Sequence, residues 1–492
     1  FQPFYLLLYR SLLPCYLKHS YGLLLPLLFL SRPAVAMAGG PISASRLYEV
    51  TRQVDSLIYE CLPAGTDVAM YVYDLTDRKP VYSYRADVMC RPASVQKVIT
   101  SVVALQTLGK SFQFETTLAI RGEIKSDGTL DGDAYLVGGL DPALSEQDLR
   151  NMAHDLKSAG VRRVGGTLYA DLSMMDSVSW GPGWCWDDAP SSFQPFISPL
   201  MVHEGFLQVQ VEPSSKGQPA KVNLFPANSF IKVVNHSSSN DSKAGKLKIE
   251  TDWAHGDNTV TISGNVTRKQ SVEISMQPSH WFTLSLFCEY LEQEGITVNH
   301  VGYGQCPSIV QTVSVARHGL VPVMTHALKE SDNLYAECMF LRMSKSWAAG
   351  PVGFSAAADY TKNFIDRKFG MKQASYNIVD GSGLSMYDFM SPVFMVDVLS
   401  MLYHKPDLYD LFYNALPVSG VDGTLKTRMS DKGTIGKIHA KTGSVTGAST
   451  LAGYIQTQSG HTLAFSIMNG GAVKASPSRG IQDKLCEVLS TL

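Results

Sequence analysis

The chain has no excess of either charge, no paired cysteine motif and only one long apolar run. Its 42 lysines and arginines nearly balance 44 aspartates and glutamates, so it lacks the basic field that would hold nucleic acid without regard to sequence. The 8 cysteines are spread singly without a C-x-x-C pair, and the 12 histidines include no H-E-x-x-H motif. These absences exclude zinc-ribbon, thioredoxin-like and zincin sites. We therefore expect no nucleic-acid partner, no bound metal and no cofactor.

The one long apolar run lies near the N-terminus. It follows Lys18 and His19 and precedes a group of small residues that ends at Ala38. A basic flank, a short apolar stretch and an A-x-A-like site are typical of a secretory signal peptide. We expect residues 1–38 to be such a peptide, with a buried N-terminal helix or a retained anchor as the alternatives. The protein would then be exported to the periplasm or cell envelope, and a peripheral membrane contact is left open.

Length and periodicity predict a mixed protein of more than one domain. The 492 residues, 45% hydrophobic and 17% charged, exceed what one ordinary core accommodates. Apolar residues recur at helical spacing in 44–61, 93–108, 317–330, 332–346, 355–369, 391–404 and 477–489. Strand-like alternation marks 68–75, 80–85, 437–441, 451–457 and 462–470.

The middle of the chain has a different sequence pattern. Between about residues 111 and 305, short runs in which apolar and polar residues alternate are separated by Gly, Asp, Asn and Ser. We predict an α/β (α+β) fold in which an antiparallel sheet is flanked by helices. Its domain would be discontinuous, made of residues 39–110 and 310–492. Residues 111–309 would form an inserted β-rich accessory region of one or two subdomains.

The first candidate site is the S-x-x-K pair of Ser94 and Lys97, at the start of a predicted helix. Positions i and i+3 share a helix face, so the hydroxyl and the amine can touch. A desolvated lysine beside other cations loses affinity for its proton and can act as a base toward serine. The other S-x-x-K, Ser229 with Lys232, falls in a predicted strand, where these positions face opposite ways. Alone, the Ser94 pair is more typical of a helix N-terminus with a solvated lysine.

The second candidate is Ser331 with Asn333, in a short connection between two predicted helices. S-x-N also occurs at 238–240, 263–265 and 375–377, and any single instance is compatible with a loop or a helix cap. Ser331 differs from these because a short connection between helices can face a cleft.

The third candidate is Lys441-Thr442-Gly443, the only K-T-G in the chain, which follows a predicted strand. Glycine lets a ligand backbone approach a strand closely, and lysine with threonine can hold a carboxylate. The alternative for an isolated K-T-G is an exposed lysine at the end of a strand.

The order of these motifs matches that of penicillin-interacting serine enzymes. The chain resembles the penicillin-binding protein and serine β-lactamase superfamily. The long separation of Ser94 from Ser331 leaves room for an insertion that small β-lactamases lack. The similarity is therefore to low-molecular-mass class C penicillin-binding proteins, and within them to the penicillin-binding protein 4 type of D-alanyl-D-alanine carboxypeptidase/endopeptidase, peptidase family S13. Further segments that fit are Leu136-VGGLDPAL, Gly160-VRRVGGTLYAD, Pro182-GWCWDD, Asp380-GSGLS and Leu416-PVSGVDGTLKTRM.

The resemblance implies a transpeptidase-like domain and a catalytic role for five residues. Ser94 would be the acylated nucleophile and Lys97 its base. Ser331 would relay a proton, and Asn333 would hydrogen-bond both the substrate amide and Lys97. Lys441 would bind the terminal carboxylate together with a neighbouring threonine.

The resemblance also implies which residues contact the substrate. The oxyanion hole would be the backbone N–H groups of Ser94 and Ser444. The expected substrate-binding residues are Thr442, Gly443, Ser444, Asp380, Ser382 and Gly383. Met386 departs from the family, because some relatives carry at this point an arginine that is thought to meet a carboxylate on the peptide stem.

The implied activity is serine D-alanyl-D-alanine carboxypeptidase or endopeptidase action on peptidoglycan stem peptides, with β-lactam antibiotics as inhibitors. One alternative is a serine β-lactamase, which would need a deacylating base; no carboxylate motif for one is evident between Ser331 and Lys441. An esterase on the same fold and an inactive cell-wall-binding protein are further alternatives. The intact motifs favour the peptidase. The sequence leaves open the balance of carboxypeptidase and endopeptidase action and the oligomeric state.

Overall fold

The computed structural model describes residues 40–371 and 375–492, so the expected signal segment, residues 1–38, lies outside the described residues. Within the described ranges, none of the helices has both the length and the apolar character needed to cross a membrane. The helices are α1 Ala44–Cys61, α2 Gln96–Thr107, α3 Glu146–Ser158, α4 Ser279–Gln293, α5 Leu320–Lys329, α6 Asn333–Met343, α7 Phe354–Phe369, α8 Pro392–Tyr403, α9 Pro406–Ala415 and α10 Ala475–Ser490.

The described strands form one sheet from residues 67–84 and 438–472, three sheets from residues 113–319, and one short pair. They are β1 Asp67–Asp74, β2 Lys79–Tyr84, β3 Gln113–Ile124, β4 Thr129–Val137, β5 Arg163–Asp171, β6 Phe206–Glu212, β7 Lys221–Phe225, β8 Lys232–Ser239, β9 Lys248–Thr251, β10 Thr259–Val266, β11 Gln270–Ser275, β12 Thr297–Tyr303, β13 Gln311–Gly319, β14 Tyr376–Asn377, β15 Phe389–Met390, β16 Ile438–Val445, β17 Gly447–Gln456 and β18 Thr462–Ala472.

The sheet that carries the K-T-G motif runs in the order β16-β17-β18-β1-β2, and every neighbouring pair is antiparallel. Alternate residues of a strand face opposite sides. In β17, Leu451 and Ile455 join the core formed with α1 and α10, whereas Ala452 and Tyr454 join the core formed with α2 and its neighbours. The predicted antiparallel sheet flanked by helices is confirmed.

Helix α2 lies at the centre of the larger core. Every residue from Gln96 to Leu105 is buried, which is the pattern of a helix surrounded by protein on all sides. Helices α5, α6, α7 and α8 contribute buried residues to the same core. The motif at the start of α2 is therefore placed where a lysine side chain loses contact with water.

The insertion is β-rich, and its five-stranded sheet runs β12-β5-β4-β3-β13, beside three-stranded sheets β8-β10-β9 and β11-β6-β7. A single cluster of buried apolar residues connects these sheets with α3 and α4. Strand β13 pairs with β3 from Gln311 to Gly319. That sheet therefore extends past residue 310 as far as Gly319, and the division into a discontinuous domain and an inserted region stays a prediction.

Two local predictions differ from the structure, and one helix was not predicted. The helix expected over 317–330 begins only at Leu320, because residues 311–319 satisfy their backbone groups by pairing with β3. The strand expected around Phe230 begins at Lys232, so Ser229 precedes it. Helix α9 was not predicted; it starts with Pro406 at its first position and Asp407 in its first turn, both favourable N-terminal residues.

Candidate active site

Ser94 lies in a single 3₁₀ turn, Ala93–Val95, directly before α2. Ala93 has a left-handed φ of 48°, which is uncommon for a residue with a side chain. Val95 N–H donates to the Pro92 carbonyl at 3.3 Å. Ser94 is half-buried, so its hydroxyl stands at the edge of the buried core.

Lys97 brings together residues that are far apart in sequence. Its Nζ donates to Ser94 Oγ at 3.0 Å, to Asn333 Oδ1 at 2.5 Å and to the Ser382 carbonyl at 2.9 Å. The side chain is fully buried. The expected contact between the hydroxyl and the amine one turn along the helix is present, and the S-x-N motif is in contact with the same amine.

Burial lowers the pKa of Lys97 to about 8. Desolvation is the largest cause, and the carboxylates of Glu337, Asp380 and Asp332 oppose it. A contribution from neighbouring cations was expected, but the charges that shift Lys97 are these carboxylates, and the nearby Lys441 is itself shifted toward its neutral form by burial and by Lys97. The amine therefore keeps a pKa from which it can both accept and return a proton.

Ser331 occupies the connection between α5 and α6 and has a left-handed φ of 64°. Asp332 caps α6, because its carboxylate accepts from Tyr335 N–H at 3.1 Å. Asn333 then lies in the first turn, where its Nδ2 donates to the Phe193 carbonyl at 2.6 Å. The amide side chain of Asn333 thus contacts both the Phe193 carbonyl and the amine of Lys97.

Lys441 lies on β16, an edge strand of its sheet, and is fully buried. Its Nζ donates to Ser331 Oγ at 2.7 Å and to the Thr442 carbonyl at 2.8 Å. Burial, and secondarily the charge of Lys97, hold its pKa well below the usual range for lysine. Thr442 is half-buried and donates its hydroxyl to Thr424 Oγ1 at 2.9 Å. In this arrangement Lys441 orients the Ser331 hydroxyl.

Gly443 lets the turn that carries Ser94 pack directly on β16. A Cβ at this position would lie 2.2 Å from Thr450 Oγ1, 2.8 Å from the Pro92 carbonyl oxygen and 2.9 Å from the Ser94 amide nitrogen. Any side chain would push the Ser94 turn away from the strand. The close approach brings the Ser94 amide next to the strand residue that precedes Ser444, as a shared oxyanion hole requires.

The Asp380–Gly383 turn supplies the Ser382 carbonyl that accepts a hydrogen bond from Lys97. Both carboxylate oxygens of Glu337 accept backbone bonds, from Gly381 N–H and Ser382 N–H at 2.8 Å each. These bonds direct the Ser382 carbonyl toward Lys97. Gly383 has a left-handed φ of 80°, and a Cβ there would lie 1.9 Å from the Ala93 carbonyl oxygen, so this turn also packs against the Ser94 turn.

The D-Ala-D-Ala carboxypeptidase 3 (S13) family model matches residues 50–492. The chain belongs to this S13 family. It is 31% identical over 499 residues to a D-alanyl-D-alanine carboxypeptidase of Actinomadura sp. (strain R39), covering 94% of this chain and 88% of that protein. It is 27% identical to D-alanyl-D-alanine carboxypeptidase DacB of Haemophilus influenzae, covering 82% of this chain and 85% of that one.

Among solved structures, this S13 chain is similar to penicillin binding protein 4 (dacB) from Haemophilus influenzae. The TM-score is 0.80 at 25% sequence identity, over 89% of this chain and 99% of that one. The family and the fold expected from the order of the motifs are thereby confirmed.

Most of the expected S13 site residues lie together, and the side chains of two of them are hydrogen-bonded within the Asp380–Gly383 turn and its neighbours. Asp380 is fully buried; its carboxylate accepts from Gly383 N–H at 2.7 Å, Ser385 N–H at 2.8 Å and Trp184 Nε1 at 2.9 Å. Ser382 is also fully buried, and its hydroxyl accepts from Leu384 N–H at 3.3 Å. These side chains hold the turn, and only the Ser382 carbonyl reaches the catalytic group. The assignment of Asp380 and Ser382 to substrate binding stays a prediction.

The departure at Met386 leaves a half-buried thioether where some relatives carry arginine. Its Sδ accepts a long contact from Arg91 Nη1 at 3.9 Å, so a guanidinium from another part of the chain lies beside it. Ser229, from the second S-x-x-K, donates instead to Glu289 Oε1 at 2.6 Å and takes no part in this site.

Sequence reasoning missed Glu337, which lies four residues after Asn333 on α6. The i, i+4 spacing places both on one helix face, so the pattern held a usable signal. The Phe193 carbonyl had no such signal, because every residue has a backbone oxygen and only folding places this one beside Asn333.

In the described part of the chain there are two groups of three side chains, and within each group the three potential metal-ligand atoms lie within 4.8 Å of one another. They are Asp74 with Asp77 and His461, and Glu204 with His326 and Asp332. His461 Nδ1 lies 2.8 Å from Asp74 Oδ2, and His326 Nε2 lies 3.4 Å from Asp332 Oδ2. In each group a histidine is thus hydrogen-bonded to one of the carboxylates.

Proposed function

We propose that the chain is a serine D-alanyl-D-alanine peptidase that cleaves peptidoglycan stem peptides through an acyl-enzyme on Ser94. The observation that carries this proposal is the position of Lys97 Nζ, 3.0 Å from Ser94 Oγ and 2.5 Å from Asn333 Oδ1. Its pKa of about 8 suits a general base near neutral pH. Membership of the S13 family and the names of the relatives support the same activity.

In the acylation step, neutral Lys97 takes the proton of Ser94 as Oγ attacks the carbonyl carbon between the two D-alanines. The negative charge that develops on the carbonyl oxygen is stabilised by the N–H groups of Ser94 and Ser444. The proton then passes to the nitrogen of the departing D-alanine, with the Ser331 hydroxyl as relay and Lys441 holding that hydroxyl. The C–N bond breaks and the acyl group remains on Ser94.

Water completes the cycle by attacking the acyl carbonyl, with Lys97 again free to take a proton. With a peptide substrate the leaving amino acid has departed and its place is open to water. With penicillin the leaving nitrogen stays tethered to the acyl group and blocks that place. We therefore expect peptide turnover and a long-lived penicillin adduct.

The structure gives no support to the β-lactamase alternative within the described residues around the site. Glu330, next to Ser331, is exposed at the end of α5. Glu337 is fully buried, and its two oxygens already accept the Gly381 and Ser382 amides. Neither carboxylate is placed as a base for water on the acyl carbonyl, the role that a glutamate has in class A β-lactamases.

A peptidoglycan substrate and the N-terminal pattern together support a location in the periplasm or cell envelope, with residues 1–38 as the export signal. The same proposal names β-lactams as inhibitors, in line with the name penicillin binding protein 4 of the similar structure. N-terminal sequencing of the protein recovered from its own cells tests the signal: a chain that begins near residue 39 supports it, and retention of residues 1–38 contradicts it.

The function is tested by labelling the purified chain with fluorescent penicillin and locating the adduct by mass spectrometry. We expect the label on the peptide that contains Ser94, a stable adduct over many minutes, and release of D-alanine from a peptide ending in D-Ala-D-Ala. Ser94→Ala should lose both activities. A label on Ser331, or rapid catalytic hydrolysis of penicillin, would contradict the proposal.

A further inference from the structure

An exposed arginine of the last helix lies beside the K-T-G strand. Arg479 Nη2 donates to Ser444 Oγ at 3.0 Å, and both residues are exposed. Among the described residues, no carboxylate forms an ion pair with Arg479. Its remaining N–H donors, arranged in a planar fork, are available to a ligand that approaches Ser444.

Helix α10 is fixed where it presents this arginine to the strand. Gln482, one turn after Arg479, is buried and donates to Ser449 Oγ at 3.3 Å and Asn469 Oδ1 at 3.0 Å. Ser449 is the register partner of Ser444 across β16 and β17. Arg479 and Gln482, on one face of α10, thus contact Ser444 and Ser449, which form one cross-strand pair. The buried Gln482 fixes the position of the helix relative to the strand, and with it the position of the Arg479 guanidinium.

The helix is fixed at a second point by Arg428. Its guanidinium pairs with Asp483 at 2.7 Å and donates to the Arg479 carbonyl at 3.3 Å. The backbone at Arg479 is therefore anchored independently of the side chain that reaches Ser444.

The lysine of the K-T-G motif is poorly suited to supply a charge at this edge. Lys441 is fully buried, and its amine is engaged with the Ser331 hydroxyl and the Thr442 carbonyl. Burial and the nearby Lys97 favour its neutral form. A substrate carboxylate that lies along Thr442 and Ser444 therefore needs another cation, and arginine keeps its charge at any physiological pH.

We propose that Arg479 is a specificity-determining residue that binds the terminal carboxylate of the substrate, together with the hydroxyls of Thr442 and Ser444. This inference rests on the proposed function, since it names the recognition of a free C-terminal carboxylate at the same site. A guanidinium pairs with a carboxylate through two parallel N–H···O bonds, which fixes the direction of the peptide as well as attracting it.

The test uses two acyl-D-alanyl thioesters that differ only in the leaving group, which carries a carboxylate in one and a neutral amide in the other. For the carboxylate thioester, Arg479→Gln should lower kcat/KM by about tenfold, as for loss of one hydrogen bond to a charged group, mainly through KM. The neutral thioester should be unaffected. Arg479→Lys should fall between the two, because an ammonium keeps the charge but loses the fork.

Arg268→Gln is the matched control, since it removes an exposed arginine in the turn between β10 and β11. It should leave both thioesters unchanged. Equal losses of both thioesters in Arg479→Gln would overturn the proposal in favour of a role in positioning Ser444, and no loss of either would overturn it altogether. Acylation of Ser94 by saturating penicillin in the same variant reports separately on the proposed function.

Discussion

The turn before α2 and the edge strand β16 each bury a lysine that donates to a serine, but the charges around the two lysines differ. Lys97 is faced by Glu337, Asp380 and Asp332, which favour its charged form against burial. Lys441 is influenced by Lys97, which adds to burial in favouring the neutral form. The comparison teaches that similar motif lysines can differ in charge environment, and we therefore expect Lys97 to exchange a proton and Lys441 to serve as a hydrogen-bond donor.

The largest effect is expected from Lys97→Ala. The serine would lose its base, so acylation by penicillin should fall by roughly a hundredfold to ten-thousandfold, the usual contribution of general-base catalysis. Stopped-flow measurement of penicillin acylation checks this expectation. Thermal unfolding of the variant serves as the folding control, because Asn333 and the Ser382 carbonyl lose a partner. A well-folded variant that acylates at the normal rate would show that Lys97 is not the base.

Lys441→Ala should have the next largest effect. Ser331 would lose the donor that holds its hydroxyl, and a hydrogen bond between neutral groups contributes about 0.5–1.5 kcal/mol. Because the role concerns Ser331, both the carboxylate thioester and the neutral one should react more slowly. A loss confined to the carboxylate thioester would instead show that Lys441 binds the substrate carboxylate, which is the role that we assign to Arg479. It would contradict the role of Lys441 as a donor to Ser331.

Glu337→Gln should shift the pH dependence of acylation. In the wild type the rate should rise as the pH increases through about 8, because only neutral Lys97 accepts the Ser94 proton. Burial raises the pKa of Glu337 itself to about 8, so its charge develops over the same pH range. Removing this carboxyl takes away the largest influence that raises the pKa of Lys97, so the rise should move to lower pH. The folded state should lose about 1–3 kcal/mol, since a glutamine cannot accept from both backbone amides.

Glu330→Gln is the control for this pH profile, because Glu330 is exposed and adjacent to Ser331. It should leave the profile unchanged. A shift of the Glu337→Gln profile to higher pH, or an equal shift in both variants, would contradict the electrostatic role of Glu337.

The smallest effect is expected from Ser229→Ala, in the second S-x-x-K. Ser229 donates to Glu289 in the insertion, so its loss should change stability by less than about 1 kcal/mol and leave penicillin labelling at Ser94 intact. Quantitative labelling of the variant beside wild type makes the measurement. Reduced labelling would mean that the insertion influences acylation through this residue.

Pattern alone predicted the helices and strands whose apolar residues recur at a clear period. Helix α1 was expected over 44–61 and occupies Ala44–Cys61, since its buried residues Val50, Val54 and Ile58 follow helical spacing. Strand β13 was missed because its partner β3 lies far away in sequence, and pairing with that strand overrides the local helical pattern before Leu320.

The sequence by itself determined the chemistry of the site, because Ser94 with Lys97, Ser331 with Asn333, and Lys441-Thr442-Gly443 are residue types whose order and spacing match one family. Only the tertiary structure decided how those residues are tuned. Burial of α2 on all sides lowers the pKa of Lys97, and the contact of β16 with the Ser94 turn depends on distances that no local pattern encodes. The same holds for Glu337, which acts on Lys97, and for Arg479, which contacts Ser444. Electrostatic and hydrogen-bonding partners depend on proximity in space, and only the packing of distant segments creates that proximity.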